Sequence, residues 1–460
     1  MSPAQVQPKI EEAIRTRNFG IVRSLLSEWE PADLAELIQE LEPEDRGVLF
    51  RLLPRALAAD SFEYLPPEFQ EDLLKALGRE QVAAILNDMS PDDRTALLEE
   101  LPASATRQLL TLLTPEERQV AKTLLGYPED SIGRLMTPDY LAVRPEWAIE
   151  RALEHIRRYG HDTETLNVIY VVDERGKLID DLRIRQLLLA PPQDTIADIM
   201  DGHFVALSAM DDQETAIQEF SEYDRVALPV IDSEGMLIGI VTIDDVLDVA
   251  EEEATEDIQK IGGMEALDEP YLQTGYVEMV RKRVGWLIVL FFGQMLTATA
   301  LDFFRAEIAS ALILVLFLPL IIASGGNSGA QAATMVIRAM ALGEVTMRHW
   351  WSVMRREIVS GFALGIVVGA VGFLGVWGIA LYRPEAYGEY WVLIGLTVGA
   401  SLLGVVLWGT LIGSMLPFLM RMVGADPAAS STPFVATVVD VTGLLMYFSI
   451  AAAVLRGTLL

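Results

Sequence analysis

The sequence predicts a multidomain protein in which α-helical and α/β parts precede a polytopic α-helical membrane domain. Three observations carry this. Five charge-free stretches crowd the chain beyond residue 281, a proline-led helical motif recurs through the first 130 residues, and two β-branched strand patterns mark a pair of α/β modules between them. Charge divides the chain at the same place. The 460 residues hold 66 acids and 35 bases, a formal net charge of −31. From Val284 onward eight acids balance eight bases, so the front of the chain holds 58 acids against 27 bases. Such a length suggests two to four domains. The acidic front lacks the basic footprint that nucleic acid requires, which excludes a nucleic-acid partner. With no cysteine, disulfides, thiolate zinc sites and cysteine nucleophiles are excluded as well. The four histidines are scattered, so a bound metal must take oxygen ligands. Lys9, Glu11, Glu12 and Arg15 interrupt the N-terminus, where no cleavable signal peptide is visible.

Residues 1–130 read as an acidic α-superhelix. Leu41-Glu42-Pro43-Glu44-Asp45, Leu65-Pro66-Pro67-Glu68-Phe69, Met89-Ser90-Pro91-Asp92-Asp93 and Leu113-Thr114-Pro115-Glu116-Glu117 share one pattern, and their central prolines are 24 residues apart each time. Proline at the first helical position followed by acids is a helix-start signal that suits the helix dipole. Twenty-four residues accommodate two short helices, whose apolar faces stacked neighbours bury.

Residues 131–250 change character, with units at about 135–192 and 198–250. Val168-Ile169-Tyr170-Val171-Val172-Asp173 and Ala227-Leu228-Pro229-Val230-Ile231-Asp232 are strand patterns, each followed by a glycine turn and preceded by a helix pattern. Met136-Thr137-Pro138 and Ile199-Met200-Asp201 open the units, about 64 residues apart. This looks like a tandem pair of CBS modules, each a β-α-β-β-α unit. The second copy is the better match; the first has Asp180-Asp181 where the second has Gly239-Ile240.

An acidic connecting helix is expected over 251–280, entered through a helix pattern that holds eight acids between Asp244 and Lys260. Asp245/Asp248, Glu253/Glu256 and Glu253/Asp257 share helix faces, and like charges at that spacing destabilise a helix by a few tenths of a kcal/mol per pair. A solvated linker tolerates this; divalent cations bridging the carboxylates to a neighbouring domain would relieve it, because hard cations take oxygen ligands.

Residues 281–460 form the membrane domain. The charge-free runs are Val284–Leu301, Ile308–Ile337, Ile358–Tyr382, Tyr390–Met420 and Pro427–Leu455, the last broken by Asp440 alone. Each reaches the ~18–20 residues that cross a ~30 Å hydrocarbon core. Arg281, Lys282 and Arg283 precede the first run, Arg338, Arg348, Arg355 and Arg356 follow the second, and Arg421 follows the fourth; Arg305, Arg383 and Arg456 fall on the other side. The positive-inside rule therefore predicts a multi-pass inner-membrane protein with a cytoplasmic N-terminus and an extracytoplasmic C-terminus. The second run, with Pro319 and then Ser324-Gly325-Gly326-Asn327-Ser328-Gly329, reads either as a kinked packing helix or as a break that lines a pathway with free carbonyls and the Asn327 amide. Asp440 lies 13 residues into the fifth run with 15 after it, and no Lys or Arg lies inside any run to pair with it. A carboxylate at that depth is either a protonated structural acid or, as the default reading, part of an ion pathway.

Together these features resemble the MgtE family of magnesium channels and transporters, over essentially the whole chain. The most specific stretches are Pro319 to Gln331 and Asp440-Val441-Thr442-Gly443-Leu444. The resemblance implies a homodimer embedded in membrane lipid, with a pore built from the second and fifth spans of both chains. By motif the pore aspartate is Asp440, with Ala436 one turn earlier, and Asn327, Gly325 and Gly326 join the ion-binding set. It also implies that Mg²⁺ is both substrate and regulator, closing the pore through sensor carboxylates that map onto Asp60, Asp92, Glu214, Asp224, Asp245, Asp248, Glu253, Glu256, Asp257 and Asp426. Two departures stand out: Ala330 replaces an Asn of the pore lining, and Arg225 and Gln186 stand where an adenine-nucleotide pocket would be lined, leaving ATP or another adenine nucleotide as an open cofactor.

The expected function is thus a Mg²⁺-selective channel or transporter closed by Mg²⁺ on its acidic domains, and not an enzyme. A transporter of other divalent cations such as Co²⁺ or Mn²⁺ is the alternative, since oxygen ligands accept all of them. A membrane-anchored nucleotide sensor is a further one, although five spans with an unpaired acid exceed what an anchor needs. No glycine-rich Lys-Ser/Thr phosphate loop suggests a hydrolytic pump.

Overall fold

The computed structural model describes residues 3–459 apart from 17, 27–28, 162, 268–270, 273 and 384–386. It divides into two compact units that meet at Ala250 and Glu251.

In the first unit the proline-led repeat is what the spacing requires. Pro43–Phe50, Pro67–Ala76, Pro91–Glu100 and Pro115–Leu124 are helices that start on the four predicted prolines, with acids in each first turn. Arg55–Glu63, Arg79–Asp88 and Ala103–Leu110 supply the second helix of the first three repeats. Neighbours bury Leu34, Leu37, Ile38, Leu49, Phe62 and Leu86 in one continuous core. Burial of each such side chain favours folding by about 1.5–3 kcal/mol. Arg94 is the largest polar side chain in this interior. It is fully buried, and it donates to the carbonyls of Leu86 and Met89 at 3.1 and 3.4 Å and pairs with Glu117.

Both α/β modules have the same topology. In the first, β1 (Ala142–Val143) lies parallel to β2 (Val168–Val172), which pairs antiparallel with β3 (Leu178–Arg183). In the second, β4 (Leu207–Ser208), β5 (Ala227–Ile231) and β6 (Leu237–Thr242) repeat that order. The β2–β3 and β5–β6 turns use Gly176 and Gly235 at φ 89° and 80°, and Asp173 and Asp232 accept the turn N–H groups at 2.8–2.9 Å. The modules face each other through backbone pairs: Thr137 with Ile240 at 2.8 and 2.9 Å, and Leu178 and Leu237 with the opposite turn at 3.1 Å. The Asp180 that departs from the strand pattern is fully buried, and its carboxylate accepts the N–H groups of Asp181, Asp201 and Gly202 at 2.9–3.1 Å.

The connecting helix is shorter and earlier than expected. It runs Ile243–Ile261, directly after β6, and the chain then turns before the first span starts at Tyr276. The expected 251–280 helix is corrected accordingly; residues 268–270 and 273 of that stretch lie outside the described ones. Gly263, at φ 76°, explains the stop, since it takes the left-handed conformation that ends helices.

Five helices of the second unit are long and apolar enough to cross a membrane: Tyr276–Phe303, Leu318–Ala341, Trp350–Tyr382, Trp391–Met422 and Thr432–Leu455, here the first to fifth spans. The excess length of the second charge-free run is spent in a separate helix, Arg305–Ser310, and a 3₁₀ turn, Leu312–Phe317, before the second span. Pro319 falls in the first turn of that span, where its missing N–H costs nothing. The pathway-lining break does not occur: the second span is helical straight through Ser324–Gly329. Its glycines serve close approach instead. A Cβ on Gly409 would collide with the Gly325 carbonyl oxygen, and one on Gly413 with that of Gly329. The second and fourth spans therefore meet backbone to backbone. Gly325 is buried with its carbonyl against the fourth span, which removes it from the expected ion-binding carbonyls.

A candidate ion pathway and two carboxylate clusters

The fifth span starts at the Ser431 cap, whose Oγ accepts from Phe434 N–H at 3.4 Å and from Trp286 Nε1 of the first span at 2.9 Å. Tyr447 Oη donates to the Leu314 carbonyl at 2.8 Å, and Trp408 Nε1 of the fourth span donates to Thr442 Oγ1 at 2.9 Å. These bonds fix the fifth span's rotation, and with it the direction of Asp440. The carboxylate is half-buried; Gln294 Nε2 of the first span donates to its Oδ2 at 3.3 Å. A Cβ on Gly326 would lie 3.5 Å from the Ala436 Cβ and 3.8 Å from Asp440 Oδ1. Gly326, Ala436 and Asp440 thus share one patch between the second and fifth spans. Asn327, next in sequence, is exposed on the single chain, flanked by the buried Gly326 and Ser328. Among the described residues Asp440 makes no ion pair.

In the same unit the end of the connecting helix meets the loop before the fifth span. Lys260 Nζ lies 2.7 Å from Asp426 Oδ2 and pairs with Glu256 on its own helix. Burial, then the Asp426 charge, push the Asp257 carboxyl up to about 6 against the pull of Lys260, with Glu253 and Glu256 adding to the rise. Asp426, Glu256 and Asp257 thus share one ammonium.

The first unit holds a second cluster. Asp92 is 7 % exposed, and its Oδ1 has no hydrogen-bond partner. Burial, then the charges of Asp245, Asp93 and Glu164, hold its pKa well above the ordinary carboxylate range. Asp245 is raised too, chiefly by burial, although Thr242 Oγ1 donates to it at 2.5 Å. Glu63, which accepts from Ser90 N–H at 3.1 Å, is pushed up to about 7 by burial, Asp93 and Asp60. A buried carboxylate with an orphaned oxygen, repelled by half-buried acids around it, forms an electrostatic sink for a cation.

The remaining sensor residues are not gathered. Asp60 is exposed on Arg55–Glu63 and feels Asp88. Glu214 and Asp224 stand at opposite ends of the helix Glu214–Tyr223, about 15 Å apart at 1.5 Å per residue, so one chain cannot offer both to one ion. Asp248 is exposed on the connecting helix. Among the described residues no three acidic or histidine side chains form a ready-made metal cage. The sequence reading missed Gln294, Lys260, Glu63, Asp93 and Glu164. Gln294 had a signal, as the single amide in the first charge-free run; the others became visible only through folding.

Comparison with known proteins bears on this arrangement. Family models match the MgtE intracellular N domain over residues 29–130, CBS domains over 132–192 and 196–252, and the MgtE divalent cation transporter over 318–450. The magnesium transporter MgtE of Thermus thermophilus is 40% identical over 451 residues, covering 97% of this chain and 98% of that protein. The chain belongs to the MgtE family. An MgtE magnesium transporter of Enterococcus faecalis is 32% identical, with 97% and 96% covered. Among solved structures, the cytosolic domain of the Mg²⁺ channel MgtE in complex with ATP superposes with TM-score 0.51 at 40% identity, covering 53% of this chain and 99% of that one. The soluble part of a magnesium transporter gives 0.52 at 28%, covering 55% and 99%. This MgtE chain is therefore a multi-pass membrane protein with a helical N domain and a CBS pair.

The ATP of that relative has no obvious counterpart here. Arg225, one of the two departures near the expected nucleotide pocket, pairs with the nearly buried Asp181 at 3.1 Å, and Gln186, the other, caps its helix by accepting from Arg183 N–H at 2.8 Å. Both residues are committed within the protein, and Asp181 would repel phosphate. As placed here, neither Arg225 nor Gln186 offers a free group to a nucleotide polyphosphate.

Proposed function

We propose that this protein carries Mg²⁺ across the inner membrane through a homodimeric pore lined by its second and fifth spans, and that Mg²⁺ on its acidic front half closes that pore. The observation that carries the reading is Asp440: a carboxylate in the middle of an apolar span, half-buried, beside Gly326 and Ala436 and without an ion pair among the described residues. Such a group at membrane depth belongs to an ion path. A two-fold axis would turn one Asp440 per chain into two facing carboxylates and would place the exposed Asn327 on the same path. Mg²⁺ gives up water reluctantly, so the path holds a hydrated ion by outer-sphere hydrogen bonds. The test is Mg²⁺ uptake by proteoliposomes with Co²⁺ and Mn²⁺ as competitors. Preferential Mg²⁺ uptake is expected; equal or faster Co²⁺ or Mn²⁺ uptake would assign the broader divalent cargo.

The orientation has the N-terminus inside and the C-terminus outside. A C-terminal reporter active only in the cytoplasm should stay silent; a strong signal would refute the five-span path through the membrane.

Regulation rests on the two carboxylate clusters. Asp92 and Asp245 face one another in the first unit, and Asp257 faces Asp426 in the second. The sensor set extends to Asp60, Glu214, Asp224, Asp248, Glu253 and Glu256. Without a cation, Glu63 and its neighbours favour protonation on folding. A carboxyl raised from 4.5 to about 7 contributes stability that is complete below 4.5 and is lost as pH rises through 7. Mg²⁺ replaces those protons, so its stabilising effect must grow with pH. The thermal shift given by Mg²⁺ to the full chain in detergent, relative to chelator, should increase from pH 5.5 to pH 8; a shift independent of pH would remove these carboxylates from the sensor.

A further inference from the structure

Gln294 is the one amide side chain in the first charge-free run, and it is placed by an unusually close helix contact. A Cβ on the preceding Gly293 would lie 2.8 Å from Thr437 Cγ2, so the missing side chain lets the first span settle against the fifth one turn before Asp440. Ala300, further along the same face, is buried, as is Thr297 Oγ1. Gln294 sits at the edge of this packed face, where it is exposed on the single chain. Its Nε2 reaches Asp440 Oδ2 at 3.3 Å. The other oxygen, Oδ1, lies on the Gly326 side, toward the second span.

The two oxygens of Asp440 are therefore not equivalent. One is engaged by an uncharged donor from a neighbouring span, and the other is turned toward the helix that carries Asn327. We infer that Gln294 is a positioning residue for ion selection: it fixes the Asp440 carboxylate so that Oδ1 faces the hydration shell of the passing cation. The amide does this without contributing a charge. A Lys or Arg in its place would neutralise the carboxylate, and an apolar residue would leave it free to rotate. Outer partners that orient an ion's ligands in this way commonly alter ion affinity by about 10–100-fold when removed. The inference rests on the reading of Asp440 as the ion carboxylate.

The experiment uses the full chain in proteoliposomes, with Gln294→Leu, Gln294→Ser and Asp440→Asn side by side. It reads the half-saturation of Mg²⁺ uptake, the maximal rate, and block by hexaamminecobalt(III), an exchange-inert imitation of a hydrated cation. Both Gln294 variants should raise the half-saturation and weaken the block by about 10-fold, with thermal stability kept. The serine variant covers the case in which leucine disturbs folding, because it is small and polar yet too short to reach Asp440. Unchanged half-saturation and block in a folded Gln294 variant, with Mg²⁺ uptake lost in Asp440→Asn, would overturn the role of Gln294 and leave that of Asp440 standing. A loss of stability and maximal rate at unchanged half-saturation would likewise reduce Gln294 to a packing residue. Normal Mg²⁺ uptake by Asp440→Asn would overturn the reading of Asp440, and with it this inference.

Discussion

Asp440→Ala should abolish selective Mg²⁺ flux, by about 100-fold or more, while the protein remains folded. A divalent ion about 5 Å from one carboxylate gains on the order of 7 kcal/mol at an effective dielectric constant near 20. Most of that is offset by the water the site gives up, yet a 100-fold loss needs a net change of only about 2.7 kcal/mol. Folding should tolerate the change. Asp440 makes no ion pair among the described residues, and the fifth span is held by other contacts, those of Ser431, Thr442 and Tyr447. Removing a buried charge from an apolar span tends to help its packing. Flux of Mg²⁺ into liposomes, with stability checked by thermal unfolding in detergent, decides the matter. A folded variant that still selects Mg²⁺ would place the pathway elsewhere.

The second large effect concerns closure. Neutralising Asp245, Asp248, Glu253 and Glu256 together, to Asn and Gln, should leave the channel conducting at internal Mg²⁺ that shuts the wild type. Asp245 confronts Asp92, and Glu256 belongs with Lys260, Asp257 and Asp426, so one helix carries acids of both clusters. The surplus of acids in the front half repels itself without cations. Shifting a gate from 1:99 to 99:1 needs about 5.5 kcal/mol of differential binding. A weak site at ten times its dissociation constant supplies about 1.4 kcal/mol, so about four sites specific to the closed state suffice. Several weak sites also make the response steep near millimolar Mg²⁺. Electrical recording against internal Mg²⁺, with limited proteolysis of the connecting helix, tests this. Closure of the quadruple variant at the wild-type concentration would mean that these acids are solvated surface.

The Lys260–Asp426 contact bears on that measurement. Burial disfavours the ammonium, but the hydrogen bonds it donates to Asp426 and Glu256 override this and hold the Lys260 pKa above its usual value. The connecting helix is thus tied to the loop before the fifth span by the protein's own cation. Under the proposed regulation, Mg²⁺ would neutralise the acids that Lys260 leaves unmatched.

Much of this protein follows from the linear sequence because the deciding physics is local or periodic. Prolines at a fixed spacing start the helices Pro43–Phe50 through Pro115–Leu124, since proline at the first turn gives up an N–H that has no partner there. Alternating strands and glycine turns fix both α/β modules. Charge-free runs fix the five spans, because charge at membrane depth is costly wherever the chain goes. Asp440 was legible for the same reason.

Other features depended on which surfaces meet. Ser324–Gly329 has the composition of a helix break, yet it stays helical because Gly409 and Gly413 admit the second span's backbone. The sequence of one helix does not contain the shape of its neighbour. The connecting helix could be anticipated from its acids, but its limits, Ile243–Ile261, are set by the end of β6 and by the turn at Gly263. Asp92 and Asp245 are 153 positions apart. That they share one electrostatic environment, while Glu214 and Asp224 do not, is a matter of burial and distance. Gln294 reaches Asp440 across two spans only because Gly293 allows the close approach. Sequence determined which segments form helices, strands and membrane spans, since backbone preference and solvation act residue by residue. Tertiary structure decided which polar groups became partners, because a hydrogen bond or a shared charge depends on distances that only packing sets.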